Sequence, residues 1–323
     1  MIRSLLLFII LLVLSACTTR KDSKVEYVLL AGHQANEKDI WHQSLAYFAD
    51  RVTERSNGRV EVRVYPNEQL GKERELIRSI KLGVVDITTT GETMQNWAKL
   101  AAFCAIPYLI RDSEHFKMVV DGAIGDLIEQ DMIDKIGLRP IAYFERGARH
   151  LTSNRPIKVP EDLDGIILRV PNVPVFVKIW ESLGAKPTPM TFSEVFTALQ
   201  QGTVEAQENP YSFIYTSGFY EVQDYINLTQ HVIGWVYVVI GEDKFQKLPE
   251  DVQEMIILSA QDMQDYHQSL FQKEELELER ILKEKGMTFV NAESDKFRAG
   301  SREAVLDYLD EEQRVIYEMI ENL

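Results

Sequence analysis

The chain is poor in the residues that build metal centres and covalent staples. Its 323 residues hold two cysteines, Cys17 and Cys104, which excludes a disulfide framework and a cysteine-rich zinc or iron–sulfur site. The six histidines (His33, His42, His115, His150, His231 and His267) show no His-x-x-His or His-Glu-x-x-His spacing, so no metal site is expected. Basic residues number 35 against 50 acidic ones, a net charge of -15, which leaves no positive field for nucleic acid. Beyond the N-terminus no segment approaches the ~18 consecutive apolar residues of a membrane-spanning helix. A Gly-x-Gly-x-x-Gly loop after a strand, a P-loop and a Gly-x-Ser-x-Gly elbow are missing too, so no cofactor and no catalytic constellation is expected. Cys104 lies in the apolar stretch 101–106 with nothing basic beside it and reads as a buried structural thiol. At 45% hydrophobic and 26% charged, what remains is a folded, acidic chain long enough for two domains.

The N-terminus carries Arg3, an apolar run from Leu5 to Leu14, and then Leu14-Ser15-Ala16-Cys17. Ten apolar residues span only ~15 Å as a helix, half a bilayer core, so residues 1–16 read as a secretory signal. Leu-Ser-Ala-Cys resembles a bacterial lipobox, which makes Cys17 the expected lipidated residue. Residues 17–24 then form a polar tether. The expected location is extracytoplasmic, periplasmic and membrane-anchored, with the membrane touched through the lipid only.

From Val25 the pattern alternates. Val25 to Ala31 reads as a strand. A helix follows, with Asn36 as its cap, and stops at Asn57-Gly58. Val60, Val62 and Val64 alternate with charged residues as a strand does. Residues 72–82 form a short helix ended by Gly83, and Val84 to Thr89 a buried strand. This β-α-β-α-β opening predicts a largely parallel sheet. Later strands are expected at 138–143, 166–170, 204–206 and 235–240. Thr191 and Glu194 form a capping box before a helix that Gly202 ends. After Pro249 the chain runs to Lys285 with neither Gly nor Pro. A helix of that length, roughly 50 Å, bridges two domains.

Three polar residues point to an anion. Arg169 stands inside the apolar strand Ile166-Ile167-Leu168-Arg169-Val170, where burial is costly unless an anion pairs with it. Its planar fork fits a carboxylate; the alternative is a strand-edge arginine paired to a neighbour. Arg149 follows an expected strand end, a usual place for ligand contacts, or else is a solvated loop residue. Asn209, after the strand 204–206, either clamps a carboxylate or hydroxyl or is a turn residue before Pro210.

These residues carry a resemblance. The strings Tyr65-Pro66-Asn67-Glu68-Gln69-Leu70-Gly71, Ala105-Ile106-Pro107-Tyr108 and Pro160-Glu161-Asp162-Leu163-Asp164-Gly165 come first. Leu168-Arg169-Val170-Pro171, Gln207-Glu208-Asn209-Pro210 and Phe219-Tyr220-Glu221-Val222-Gln223 follow in order. Together they resemble the dicarboxylate-type solute-binding proteins of tripartite ATP-independent periplasmic (TRAP) transporters, from about residue 25 to the C-terminus. The resemblance implies an α/β fold of two domains, periplasmic-binding-protein-like, joined by hinge strands and spanned by the long helix. Domain I is expected at 25–146 plus about 235–272, and domain II at 147–234 plus about 273–323. The resemblance casts Arg169 as partner of the substrate carboxylate, Arg149 as a second cleft arginine, Asn209 as a polar clamp and Phe192 as an aromatic wall. Glu92 and His33 face the cleft from domain I by the same analogy. The implied function is capture of a small organic anion, such as a C4-dicarboxylate or a sugar acid, and delivery to separate membrane permease subunits. Two other readings stand beside it: an extracytoplasmic enzyme on sugar acids using Glu92, Glu145 or His33, and a ligand-sensing partner of a receptor.

Overall fold

A computed structural model describes residues 25–323; the leader, Cys17 and the tether to residue 24 lie outside the described residues. The first half runs β1 (Tyr27–Gly32), α1 (Ile40–Arg55), β2 (Val60–Tyr65), α2 (Glu73–Lys81), β3 (Ile87–Thr90), α3 (Ser113–Val120), α4 (Ala123–Ile136) and β4 (Leu138–Ser153). The second runs β5 (Ile167–Val170), α5 (Pro174–Ser182), β6 (Lys186–Pro189), α6 (Val195–Gln200), β7 (Ala206–Asn209), α7 (Tyr211–Thr216) and β8 (Tyr225–Gly241). It closes with α8 (Glu242–Lys247), α9 (Glu250–Glu284), β9 (Thr288–Val290), α10 (Ser294–Tyr308) and α11 (Glu311–Glu321).

The described strands form one sheet in the order β2-β1-β3-β8-β4-β7-β5-β6, with β9 beside β8. Its centre is the antiparallel pair β4 and β8, 16 and 17 residues long. One end of that pair carries β3, β1 and β2; the other carries β7, β5, β6 and β9. The result is the two-domain architecture of periplasmic binding proteins. Each outer group is largely parallel, as the β-α-β pattern predicts. The crossing pair is antiparallel because a chain that runs from one domain to the other must run back.

The crossing strands are far longer than the expected 138–143 and 235–240. Polar residues interrupt their apolar pattern, and two of those in β4, Arg146 and Arg149, line the cavity described below. Register slips between Arg146 and Arg149 mark a bulge in β4 at the crossing. Two caps also differ from expectation. Asp39 caps α1 by accepting from the Trp41 amide at 2.9 Å, while the Asn36 amide donates to the Thr216 carbonyl at 2.6 Å. Thr191 makes no side-chain cap bond, and Glu194 instead meets Lys72 at 2.6 Å.

Helix α9 is 35 residues long, about 52 Å at 1.5 Å per residue. Val252, Ile256 and Met263 bury in one core with α1, β1 and β2, whereas Leu278 and Leu282 bury in another with α6 and α7. Between these cores the helix passes β4 closely. A Cβ on Gly147 would overlap the Glu275 carboxylate, so a side chain there would have to displace it. A third apolar cluster runs from α2 and residues 98–110 to α5, α10 and α11. The last helix faces residues 99–115, with Lys99 on Asp310 at 2.7 Å and His115 Nε2 against the Ile320 carbonyl at 2.9 Å. Cys104 is buried within this cluster.

Candidate functional site

A cavity of about 250 Å³ lies beside the crossing strands, between α2 and residues 92–93 on one side and β5, β7 and residues 190–192 on the other. Its wall is made by polar residues of otherwise apolar strands. Strand alternation explains this directly: in β5, Leu168 and Val170 point into the core, so Arg169 between them points into the cavity.

Arg169 is 3% exposed. Its Nε and Nη2 donate to the Met190 carbonyl at 3.1 and 2.6 Å, and its guanidinium lies 6.0 Å from the Phe192 ring centre. No carboxylate of the described residues lies within ion-pair distance of it. Burial pulls its pKa down to about 10, against the opposing pull of Glu208. A carbonyl supplies only a dipole, and Nη1 makes no hydrogen bond with the described residues. Arg169 is thus a buried cation awaiting an anion.

Arg149 is placed differently from expectation. It lies within β4, not after a strand end, and is 2% exposed. Its fork clasps Glu208 of β7, Nε on Oε2 at 2.5 Å and Nη2 on Oε1 at 2.7 Å, while Nη2 also donates to the Glu208 carbonyl at 3.0 Å. His231 Nε2 meets the same carboxylate at 3.0 Å. Burial alone pushes the Glu208 carboxyl up, but the Arg149 charge and the bonds from His231 and Arg149 outweigh it and hold the pKa at about 2. Arg149 Nη1 makes no hydrogen bond, lying 3.4 Å from Glu92 Oε1.

Glu92 lines the cavity and takes Arg146 Nη1 at 2.8 Å. Burial raises its pKa, but Arg146 and Arg149 bring the net shift below the usual range. Arg146 sits over the rings of Trp41 and Phe213, at 5.5 and 5.9 Å, and its buried Nε has no partner. Asn209, the last residue of β7 and not a turn residue beyond it, gives its Nδ2 to Gln207 Oε1 at 2.7 Å and shows its carbonyl end to the cavity. Phe192 contributes wall area and packs edge-on to Phe213.

His33 departs from expectation. Its ring is fully buried against His42, Nε2 to Nδ1 at 3.1 Å, and burial with the neighbouring ring lowers its pKa to about 3. The next residue, Gln34, lines the cavity in its place. Glu145 lies outside the cavity as well, accepting from Ser113 Oγ and from Gln268 Nε2 at 2.8 Å. Sequence reasoning passed over Arg146, Glu208 and Glu73. Arg146 was open to the logic applied to Arg169, being a charge in a largely apolar strand, whereas Glu208 stands in the polar strand Ala206-Gln207-Glu208-Asn209. Glu73 gave no such signal, standing in the polar run Lys72-Glu73-Arg74-Glu75.

A buried cation in a cleft between two α/β domains defines a binding protein for anions. The family model for bacterial extracellular solute-binding proteins, family 7, matches residues 31–313, and the chain belongs to that family. It is 47% identical to a solute-binding protein of Roseobacter denitrificans over 295 residues, 91% of each chain. The crystal structure of that TRAP periplasmic solute-binding protein, with bound L-galactonate, superposes with a TM-score of 0.90, covering 92% of this chain and 99% of that one. The sialic acid-binding periplasmic protein SiaP of Vibrio cholerae is 34% identical over 271 residues, 84% of each chain. A Polaromonas TRAP periplasmic solute-binding protein bound to D-erythronate is 32% identical, covers 92% of this chain and 98% of its own, and has a TM-score of 0.87. This is a family of binding proteins, not of enzymes.

Glu208→Gln tests the clasp. It leaves Arg149 buried beside a neutral amide, and breaking one side of a buried pair costs about 3–5 kcal/mol. The folded pKa of about 2 lies below the ordinary value of 4.5. The wild-type advantage is therefore full above pH 4.5 and fades as pH falls toward 2. Denaturant unfolding of both proteins at pH 7 and pH 3 should show a large gap that narrows in acid. Equal stability at pH 7 would mean that Glu208 does not hold Arg149.

Proposed function

We propose that this protein captures a small sugar acid outside the cytoplasm and delivers it to the permease subunits of a TRAP-type secondary transporter. The observation that carries the reading is Arg169, buried in the cavity wall with no carboxylate of its own. The ligand's carboxylate takes the free end of that fork. The Asn209 side chain meets its oxygens and hydroxyls, Phe192 covers the apolar face of its carbon chain, and Glu92 keeps Arg146 and Arg149 in place. The relatives bound to L-galactonate and D-erythronate support an acid of the aldonate kind.

The two halves of the capture device are residues 25–146 with about 235–272, and 147–234 with about 273–323. They close about β4 and β8, and the ligand favours the closed form by the amount it binds that form more tightly. Lys72 to Glu194 at 2.6 Å and Asn36 to Thr216 at 2.6 Å span the cleft rims and would break on opening. Cys17 carries the lipid that keeps the protein at the membrane near its permease, a reading supported by Leu14-Ser15-Ala16-Cys17. Mass spectrometry of the membrane fraction should find a lipidated Cys17 as the first residue; an intact leader or a start beyond Cys17 would contradict the anchor.

Thermal-shift screening across aldonates, uronates, C4-dicarboxylates and sialic acid should identify the ligand, which adds ~2.7 kcal/mol of stability at 100 times its dissociation constant. Calorimetric titration with that acid then tests the arginine. Arg169→Ala should lose about 2–5 kcal/mol of binding, roughly thirtyfold to several thousandfold, while staying folded. Arg169→Lys should fall between it and wild type, because an ammonium keeps the charge and loses the fork. Binding by folded Arg169→Ala within about threefold of wild type would make the residue structural and remove the basis of this reading.

A further inference from the structure

The charges around the cavity do not balance evenly along its length. The inner wall holds three cations, Arg146, Arg149 and Arg169, and two carboxylates, Glu92 and Glu208, each already on an arginine. One positive charge is left there. The facing side, at the start of α2, presents Glu73, whose carboxylate accepts from Thr90 Oγ1 at 2.8 Å, Thr93 Oγ1 at 2.7 Å and the Gly91 amide at 3.2 Å. No cation of the described residues pairs with it. Burial and the nearby Glu92 hold its carboxyl above the usual range, so a second negative charge brought beside it meets a group already short of stabilisation. The cations near the mouth do not make up the deficit. Lys72 is on Glu194 and Arg74 lies over Trp97 at 5.4 Å. Arg74 and Arg78 are offset there by Glu68 and Glu75, which line the cavity beside them.

We infer that the cavity selects a polyhydroxy acid with one carboxylate and that Glu73 is the residue that rejects a second. The ligand's single carboxylate neutralises Arg169. Its far end meets a carboxylate acceptor, which a hydroxyl satisfies by donating and which another carboxylate cannot. This inference rests on the carboxylate reading of the cleft and narrows it to aldonates and related monoacids, against C4-dicarboxylates and aldarates.

The test uses acids that differ only at the far carbon: L-galactonate against galactarate, D-gluconate against D-glucarate, and D-erythronate against meso-tartrate. Each is titrated calorimetrically into wild type, Glu73→Gln and Arg169→Ala. In wild type the aldonate of any pair that binds should be favoured by about thirtyfold or more, the scale of a like-charge contact in a partly desolvated site. Glu73→Gln should cut that ratio about tenfold, by strengthening the diacid, since the amide can donate to a carboxylate. A diacid that binds wild type as well as its aldonate overturns the inference. So does a ratio that folded Glu73→Gln leaves unchanged. Loss of both acids of a pair in Arg169→Ala belongs to the underlying reading and is expected. Binding of none of the six acids to folded wild type would overturn the sugar-acid reading itself, and the inference with it.

Discussion

Burying arginine beside arginine is tolerable only where carboxylates are buried with them, and this condition organises the centre of the molecule. Strand order supplies the geometry. β4, β7 and β5 lie side by side, with His150 opposite Asn209, Leu151 opposite Glu208 and Arg169 opposite Gln207. Glu208 therefore sits on the strand between the two that carry Arg149 and Arg169, and its fork-to-carboxylate clasp with Arg149 ties β4 to β7. Because that clasp takes Glu208, and Glu145, the other buried carboxylate of these strands, is held by Ser113 and Gln268 outside the cavity, Arg169 is left with a carbonyl. The vacancy in the charge pattern is the site.

The same strands that carry the charges also carry the hinge. β4 runs through both domains and holds Arg146 and Arg149 on either side of its bulge. Helix α9 crosses at Gly147 between those two arginines. In the proposed closure, motion about the crossing point would change the separation of the cleft walls while leaving the Arg149–Glu208 clasp intact, since both partners belong to adjoining strands. Closure removes water from around Arg169 and strengthens whatever bond the ligand makes there. Contacts on the rims, Lys72 with Glu194 and Asn96 Nδ2 with the Asn172 carbonyl at 3.4 Å, add to the closed form without touching the cavity floor. They are exposed and individually weak, so they bias closure and do not drive it.

Much of this was legible in the sequence, and the gaps have physical causes. Helix α9 was readable to within a residue because nothing in 250–285 breaks a helix. Arg169 was readable because a charge between Leu168 and Val170 has only two explanations. The crossing strands were read short because period-two patterning fails where buried strand positions are polar, as at Glu145, Arg146, Thr229 and His231. That error moved Arg149 into a loop and hid its partner. Asp39 in place of Asn36 as the α1 cap, and Glu194 bonded to Lys72 instead of its own helix, reflect competition that local sequence cannot show. His33 was assigned to the cleft by analogy, yet in the turn after β1 its neighbour Gln34 lines the cavity while the His33 ring is buried.

The central claim is that Arg169 is a buried cation completed by the ligand's carboxylate, and a cycle in which protein and ligand are both altered isolates that one contact. The best-binding sugar acid and its primary amide are titrated into wild type and Arg169→Ala. The account predicts that the amide costs wild type about a hundredfold or more in affinity, the scale of a lost charge-assisted pair. In Arg169→Ala the same change should cost almost nothing, because the partner is already gone. Equal losses from the amide in both proteins would show that the carboxylate is recognised elsewhere in the cavity, and would contradict the account.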